Sequence, residues 1–212
     1  MEYKIINSGS DGNCVIIERM MVDIGLSYKK IDKCLHDVDM IFLTHQHTDH
    51  VKKATLKQIR KYHPKIKIMC SKELKDFLKD EALIAVRSNV QYNVKLKGAT
   101  ITLQPFDCVH NVPTQGIVFK YNDEYGIYAT DTNTLEHSYE CNLGDGLYDY
   151  LFLEANYDKY KIKAIDKSKY GYDVIKNARR HLSKQDSYDF YLLNRRSEDS
   201  KYIELHKSSR FY

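Results

Sequence analysis

The chain has no apolar stretch approaching the roughly 20 residues that a membrane-spanning helix needs. Its first strand-like run, Tyr3-Lys4-Ile5-Ile6, begins too early to leave room for a signal peptide. No C-x-x-C pair occurs, and the five cysteines (14, 34, 70, 108, 141) are odd in number and widely spaced. Such a set builds no disulfide framework and reads as reduced thiols in a cytoplasmic protein. There is no internal repeat and no low-complexity segment. The Gly-containing loop 8–13 is not followed by G-K-[ST], so it is not a P-loop. What remains is a chain of 212 residues, 42% of them apolar, which is enough for one sizeable core and is expected to form one domain over 1–212. Its net charge of +4 and pI near 8.6 are mildly basic, compatible with an anionic substrate without demanding one.

Against this background one segment stands out. Thr44-His45-Gln46-His47-Thr48-Asp49-His50 follows the apolar run Met40-Ile41-Phe42-Leu43. The run reads as a buried strand, so three imidazoles and a carboxylate are delivered to one point at its carboxyl end. Imidazole nitrogen and carboxylate oxygen are the usual ligands of zinc and similar ions. Alternate residues of an extended segment point the same way, so His45 and His47 can grip one ion. Asp49 and His50 lie on the next turn and can reach a second. Two ions roughly 3.5–4 Å apart form the clamp used in phosphate-ester hydrolysis. A histidine-rich surface loop is the plain alternative, but it does not account for three His within six positions directly after a buried strand.

Strands are expected at 3–7, 14–18, 20–23, 39–43, 66–70, 99–106, 115–121, 126–130, 150–154 and 201–205. Helices are expected at 27–37, at 53–63 before Pro64, after an N-cap at Ser71, and at 172–182 and 185–196. Residues 159–169 are Lys-rich without periodicity. They read as a solvated loop, with a phosphate-facing cleft mouth as the alternative. Cys108 reads as a core thiol despite its closeness to His110, and His36, His63 and His137 read as surface residues.

T-H-x-H-x-D-H resembles the signature of the metallo-β-lactamase superfamily. The resemblance implies an α/β fold, a four-layer αββα sandwich of metallo-β-lactamase type, and further functional residues downstream. Asp23, after Met20-Met21-Val22, would buttress the metal loop without being a ligand. His110, Asp131 and His206 each follow a strand and complete the set. The implied ligands are His45, His47 and His110 for one ion, Asp49, His50 and His206 for the other, and Asp131 between them. Asn7-Ser8-Gly9-Ser10-Asp11-Gly12-Asn13 looks like the S-G-S-x-G-N of the YycJ/WalJ-like branch. The tail His206-Lys207-Ser208-Ser209-Arg210-Phe211-Tyr212 looks like the ending of ribonuclease Z. Leu153-Glu154-Ala155-Asn156 and His181-Leu182-Ser183 are similar to elements that both groups share, in which the Glu orients a proton-donating His. Tyr157, Arg180 and Lys184 depart from the usual pattern.

The resemblance therefore implies a dinuclear metal-dependent phosphodiesterase, with Asp49, His181 and Glu154 as catalytic residues and a metal-bridging hydroxide as nucleophile. The cofactors implied are two divalent ions, zinc first, with manganese or iron as alternatives. The partner expected is a nucleic acid end or nucleotide substrate, with no membrane; a homodimer is left open. Ser208, Ser209 and Arg210 are candidate phosphate contacts. The other readings are a compact cyclic-nucleotide phosphodiesterase of the phage anti-defence type, a carbon-centre (thioester or lactone) hydrolase, and a non-catalytic module that would have lost ligands.

Overall fold

A computed structural model describes residues 1–164, 173–208 and 210–212. The first sheet runs in chain order: β1 (Tyr3–Asn7), β2 (Cys14–Ile17), β3 (Met20–Val22), β4 (Met40–Leu43), β5 (Lys67–Ser71) and β6 (Ile84–Val86). It begins as an antiparallel meander and turns parallel from β3 onward. The second sheet contains β7 (Tyr92–Leu96), β8 (Ala99–Cys108), β9 (Thr114–Tyr121), β10 (Glu124–Ala129), β11 (Tyr150–Glu154) and β12 (Lys201–Leu205). It is antiparallel as far as β10 and parallel across β10, β11 and β12. Helices α1 (Tyr28–Ile31), α2 (Lys53–Tyr62) and α3 (Lys72–Leu78) accompany the first sheet, and α4 (Lys159–Lys163), α5 (Val174–Ala178) and α6 (Lys184–Asn194) the second.

The layering follows from side-chain alternation. In β3 and β4, Met20, Val22, Met40 and Phe42 point into the core between the sheets, where they meet Tyr128, Phe152 and Ile203. Their neighbours Met21, Ile41 and Leu43 point the other way and pack under the helices with Leu56 and Ile59 of α2. A strand covered on both faces must be apolar throughout, which is why Met40-Ile41-Phe42-Leu43 lacks polar alternation. On the far side, Val118, Leu151 and Leu153 pack under α6 through Phe190 and Tyr191. The result is an αββα sandwich.

Several boundaries differ from the sequence expectation. The helix expected over 27–37 is one α-turn followed by a 3-10 segment, Asp32–Asp37. Strands β6 and β7 were not expected: β6 is three residues long with two exposed, whereas β7 buries Val94 and Leu96 on one face. Part of the Lys-rich stretch is not loop but helix α4, capped by Asp158, which accepts from Tyr160 N and Lys161 N; residues 165–169 lie outside the described residues. The helix expected over 172–182 is confined to α5, and residue 172 is not described. Cys108 sits in the core beside Phe106. His36 and His137 are exposed and His63 is half-buried, but they are not isolated: His137 Nδ1 lies 3.0 Å from Glu140, and His63 Nε2 lies 3.0 Å from the Tyr28 hydroxyl. Among the described residues no helix is long and apolar enough to cross a membrane.

Phe42 is fully buried between the sheets. Phe42→Ala should cost about 3–5 kcal/mol in urea unfolding. Leu193, 76% exposed on α6, should change stability by no more than about 0.5 kcal/mol when cut to Ala. Equal losses would mean that the inter-sheet layer is not the core.

Candidate metal centre

The carboxyl ends of β3, β4, β8, β10, β11 and β12 all open on the same rim. Each is followed by a residue of the candidate set, or by the loop that carries it. Three of these strand-end residues turn the chain in the left-handed region: Asp23 (φ 63°), Asp131 (φ 55°) and His206 (φ 50°). Non-glycine residues seldom adopt this conformation. Here it swings each side chain out of the pleat and toward the rim.

The loop after β4 is held by Asp23, which is fully buried. Its carboxylate accepts from the Thr44 backbone N–H (2.9 Å), from the Thr44 hydroxyl (2.9 Å) and from His50 Nδ1 (2.6 Å). Fixing Nδ1 leaves His50 Nε2 facing inward, the way an outer carboxylate orients a ligating imidazole. The loop 8–13 packs against the same residues. Asn13 N donates to the Asp49 carbonyl (2.6 Å), and its side-chain nitrogen lies 2.9 Å from His50 Nε2. The approach is so close that a Cβ on Gly25 would fall 1.7 Å from the Asp49 carbonyl oxygen, so only glycine fits there.

Around this loop the imidazoles converge. His45 Nε2 lies 2.9 Å from His47 Nδ1, which lies 3.4 Å from His110 Nε2. Asp131 is buried between this group and a second one. Its Oδ1 is 3.5 Å from His110 Nε2, and its Oδ2 is 2.8 Å from His50 Nε2 and 3.6 Å from His206 Nε2. Asp49 Oδ2 completes the second group, 3.6 Å from His50 Nε2 and 3.8 Å from His206 Nε2. His45, His47 and His110 bring ligand atoms within 4.8 Å of one another, and so do Asp49, His50 and His206.

Glu154, at the end of β11, is fully buried. Its Oε1 accepts from His181 Nδ1 (2.7 Å) and from His206 Nδ1 (2.8 Å), while Oε2 accepts from the backbone N–H groups of Thr132 (3.0 Å) and Leu182 (3.3 Å). The link to His181 is the one expected from the sequence. The link to His206 was not anticipated, and neither were Ser8, whose hydroxyl accepts from His206 N (2.7 Å), and Asn156, whose amide donates to the His206 carbonyl (2.8 Å). The S-G-S and E-A-N stretches were visible in the sequence, but nothing in either pointed to residue 206. His181 is half-buried and its Nδ1 lies 3.6 Å from Asp131 Oδ1, so it borders both groups. Ser183 is the N-cap of α6, accepting from Asp186 N. Lys159 pairs with Asp186. Arg210 is exposed at the tail, and Ser209 lies outside the described residues.

The electrostatics alternate across the centre. Burial pushes the His45 imidazole down to about 2, helped by the charge on His50. Burial likewise lowers His110 to about 4. For His50 burial acts in the same direction but is outweighed by the Asp23 and Asp131 carboxylates, which raise it to about 10. For His206, too, burial is overcome, by the Asp131, Asp49 and Glu154 carboxylates around it, and its pKa is raised. Burial opposes ionisation of Asp131, yet the His206 and His50 charges hold it well below the usual carboxylate range.

The donor set fits divalent metal ions. Among the described residues, His206 Nε2, although buried, has no hydrogen-bond partner. Ring nitrogens facing one another across 2.9–3.4 Å share too few protons to satisfy every lone pair. A cation answers both deficits. Cysteine contributes to none of the groups.

Comparison with known proteins agrees with the fold. A 61-residue stretch is 41% identical to the exodeoxyribonuclease WalJ of Streptococcus pneumoniae, in two strains, covering 24% of this chain and 23% of the relative. The match thus spans about a quarter of the length of these curated relatives. Human tRNase Z, short form, superposes with a TM-score of 0.67 at 16% identity, covering 99% of this chain and 93% of that one. The metallo-beta-lactamase fold protein YhfI of Bacillus subtilis gives 0.65 at 12%, covering 99% and 97%. A diphosphatase from the PhnP family gives 0.58 at 16%, covering 99% and 87%. At these identities the structural likeness is one of fold. The model of the beta-lactamase superfamily domain matches residues 25–180, from the turn after Asp23 to the residue before His181. With most of its length matched in this way, and with the two-sheet sandwich described above, the chain belongs to the metallo-β-lactamase superfamily.

Proposed function

We propose that the protein is a dinuclear metal-dependent phosphodiesterase. The observation that carries this reading is the position of Asp131, whose two carboxylate oxygens face the two histidine groups, one on each side. His45, His47 and His110 would hold one divalent ion, Asp49, His50 and His206 the other, and Asp131 would serve both. Zinc suits the nitrogen-rich set, and manganese or iron are the alternatives. When bound, such a pair lowers the pKa of a water between them and offsets charge gathering on a phosphoryl oxygen.

The remaining work falls to protein side chains. Asp49 reaches the rim half-buried and is placed to orient an attacking water. Burial opposes protonation of His181, but the Glu154 charge and hydrogen bond raise its pKa. The raised pKa favours the doubly protonated ring, in which Nδ1 is held by Glu154 (2.7 Å) and Nε2 has a proton to give. From there it is positioned to protonate the leaving alkoxide. The wholly buried Glu154 keeps this proton aimed at the rim by denying the ring any other orientation. This pairing favours a phosphodiester, whose alkoxide leaving group needs a proton, over a thioester, whose thiolate departs without one. The likeness to exodeoxyribonuclease WalJ supports a nucleotide-containing substrate, and the five free cysteines fit the reducing cytoplasm.

Purified without chelator, the protein should hold two equivalents of metal by elemental analysis; a single equivalent in a fully active protein would sink the dinuclear reading. Asp131→Asn should abolish turnover of bis-p-nitrophenyl phosphate and of nucleotide diesters alike.

His181→Ala should retain its metal and lose roughly 10²–10⁴ in rate on unactivated diesters. It should lose much less with p-nitrophenolate, which departs without a proton. Glu154→Gln should behave differently, because Glu154 also holds His206; metal content and rate should fall together. Identical behaviour of the two variants on both substrates would remove the proton-donor role.

Metal loading should also release protons. His50 is raised to about 10 and His206 is raised as well, so without metal both are protonated at pH 7. Each must give up one proton to offer Nε2, besides any lost by a metal-bound water, so two or more protons per chain should leave, and affinity should weaken as pH falls. Calorimetry in buffers of different ionisation enthalpy measures the number; a value near zero would mean that both rings are already neutral.

A further inference from the structure

Residues 52–81 carry ten Lys/Arg and four Asp/Glu, a net of +6, against +4 for the whole chain, so the rest of the chain sums to −2. The excess is therefore concentrated in one layer, the one built by α2, β5 and α3. Between the two helices lies a cavity of about 510 Å³ lined by Lys53, Leu56, Lys57, Arg60, Leu78 and Lys79 among others. Its two acidic residues are already paired, Asp80 with Arg60 (3.4 Å) and Glu81 with Lys75 (3.3 Å). Among the described residues, no carboxylate comes within salt-bridge distance of Lys53, Lys57 or Lys79.

Helix stability does not explain this pattern. Lys53, Lys57 and Lys61 follow one another at i, i+4 spacing, where like charges repel. The first turn of α2 holds no acidic residue and its N-cap makes no side-chain hydrogen bond. Lys53 therefore sits where the helix dipole disfavours a cation. The core needs only Thr55, Leu56 and Ile59 from this helix; solvent would accept acidic or neutral residues at the remaining positions equally well. An anion lying against the helix would relieve this repulsion. Exposed aromatic rings are interleaved with these cations. Phe77 is 44% exposed with Lys53 Nζ 4.4 Å from its centroid, and Tyr62 is 57% exposed with Lys61 Nζ 5.0 Å away. Cations beside exposed rings suit a ligand with both phosphates and flat bases. The helix also begins three residues after His50, so Lys53 at its first turn follows closely on the candidate centre in the chain.

We propose that the α2–α3 surface is a docking track for a single-stranded polynucleotide whose end enters the metal centre. This rests on the phosphodiesterase reading and narrows it, from diesters in general to polymers. The flanking phosphates lie along Lys53, Lys57 and Lys79, and bases stack at the Phe77 end.

The test is fluorescence anisotropy of a labelled 12-nucleotide single-stranded DNA in chelator, so that binding is read without turnover. The wild-type chain should bind with a salt-dependent affinity. The triple variant Lys53→Gln, Lys57→Gln, Lys79→Gln should lower the slope of log affinity on log salt by about 2 and weaken binding roughly 100-fold near 0.1 M salt, at about 0.7 per phosphate contact. A control triple on the second sheet, Lys95→Gln, Lys97→Gln, Lys201→Gln, removes equal charge and should bind as wild type does. Unchanged binding in the first triple, or equal loss in both, overturns the track. So does wild-type binding to vesicles of anionic phospholipid in preference to DNA. Turnover of bis-p-nitrophenyl phosphate by the metal-loaded wild type is measured separately. Its absence would strike at the phosphodiesterase reading, whereas the DNA-binding result stands or falls independently of it.

Discussion

A carboxylate fully removed from water must be answered by hydrogen bonds or positive charge, or it will take up a proton instead. Glu154 is in that position, and four donors answer it: two imidazoles on one oxygen and two backbone amides on the other. The four donors come from three pieces of chain. Thr132 follows the strand carrying Asp131, Leu182 adjoins His181, and His206 closes the last strand. One buried charge thus recruits three otherwise unconnected segments and fixes their side chains relative to one another. Asp23 does the same work for the first half, tying Thr44 and His50 to the end of β3.

The local backbone is arranged around these two anchors at some cost. Asp23, Asp131 and His206 occupy left-handed conformations, each unfavourable by about 1–3 kcal/mol when a non-glycine residue is held there. The same side chains either hold other members of the centre or belong to it. Strain of this kind persists only where its surroundings over-determine it, and here the surroundings are the buried carboxylates and their partners.

Much of this could be read from residues in a row. The β4 strand was legible because burial on both faces leaves no room for polar alternation, and the histidine loop because its residues are contiguous. His110, Asp131 and His206 were reachable through the family resemblance, each following a recognisable strand. Other features were hidden for physical reasons. Three-residue β6, with two positions exposed, carries almost no hydrophobic pattern; β7 does alternate, and Val94 and Leu96 were there to be read. The helix expected to run to 182 stops at Ala178. Nearby, Glu154 takes the His181 ring and the Leu182 amide, a demand arising 27 residues away in sequence. The short helix α4 depends on the Asp158 cap more than on any apolar period. Contacts such as Ser8 to His206, 198 residues apart, leave no trace in local sequence at all.

The two sheets divide the centre between them. His45, His47, Asp49 and His50 come from the first, and His110, Asp131 and His206 from the second. No strand is shared. The distance between the two ligand sets is therefore set by the thickness of the layer of Phe42, Tyr128, Phe152 and their neighbours lying beneath the rim. This layer acts as a spacer gauge. Close-packed interiors transmit a change of a single methylene, so a substitution deep between the sheets, touching no ligand, would alter the span across Asp131 by a fraction of an ångström. The apolar core would in this sense belong to the proposed coordination chemistry, its volume held to a tighter tolerance than stability alone would impose.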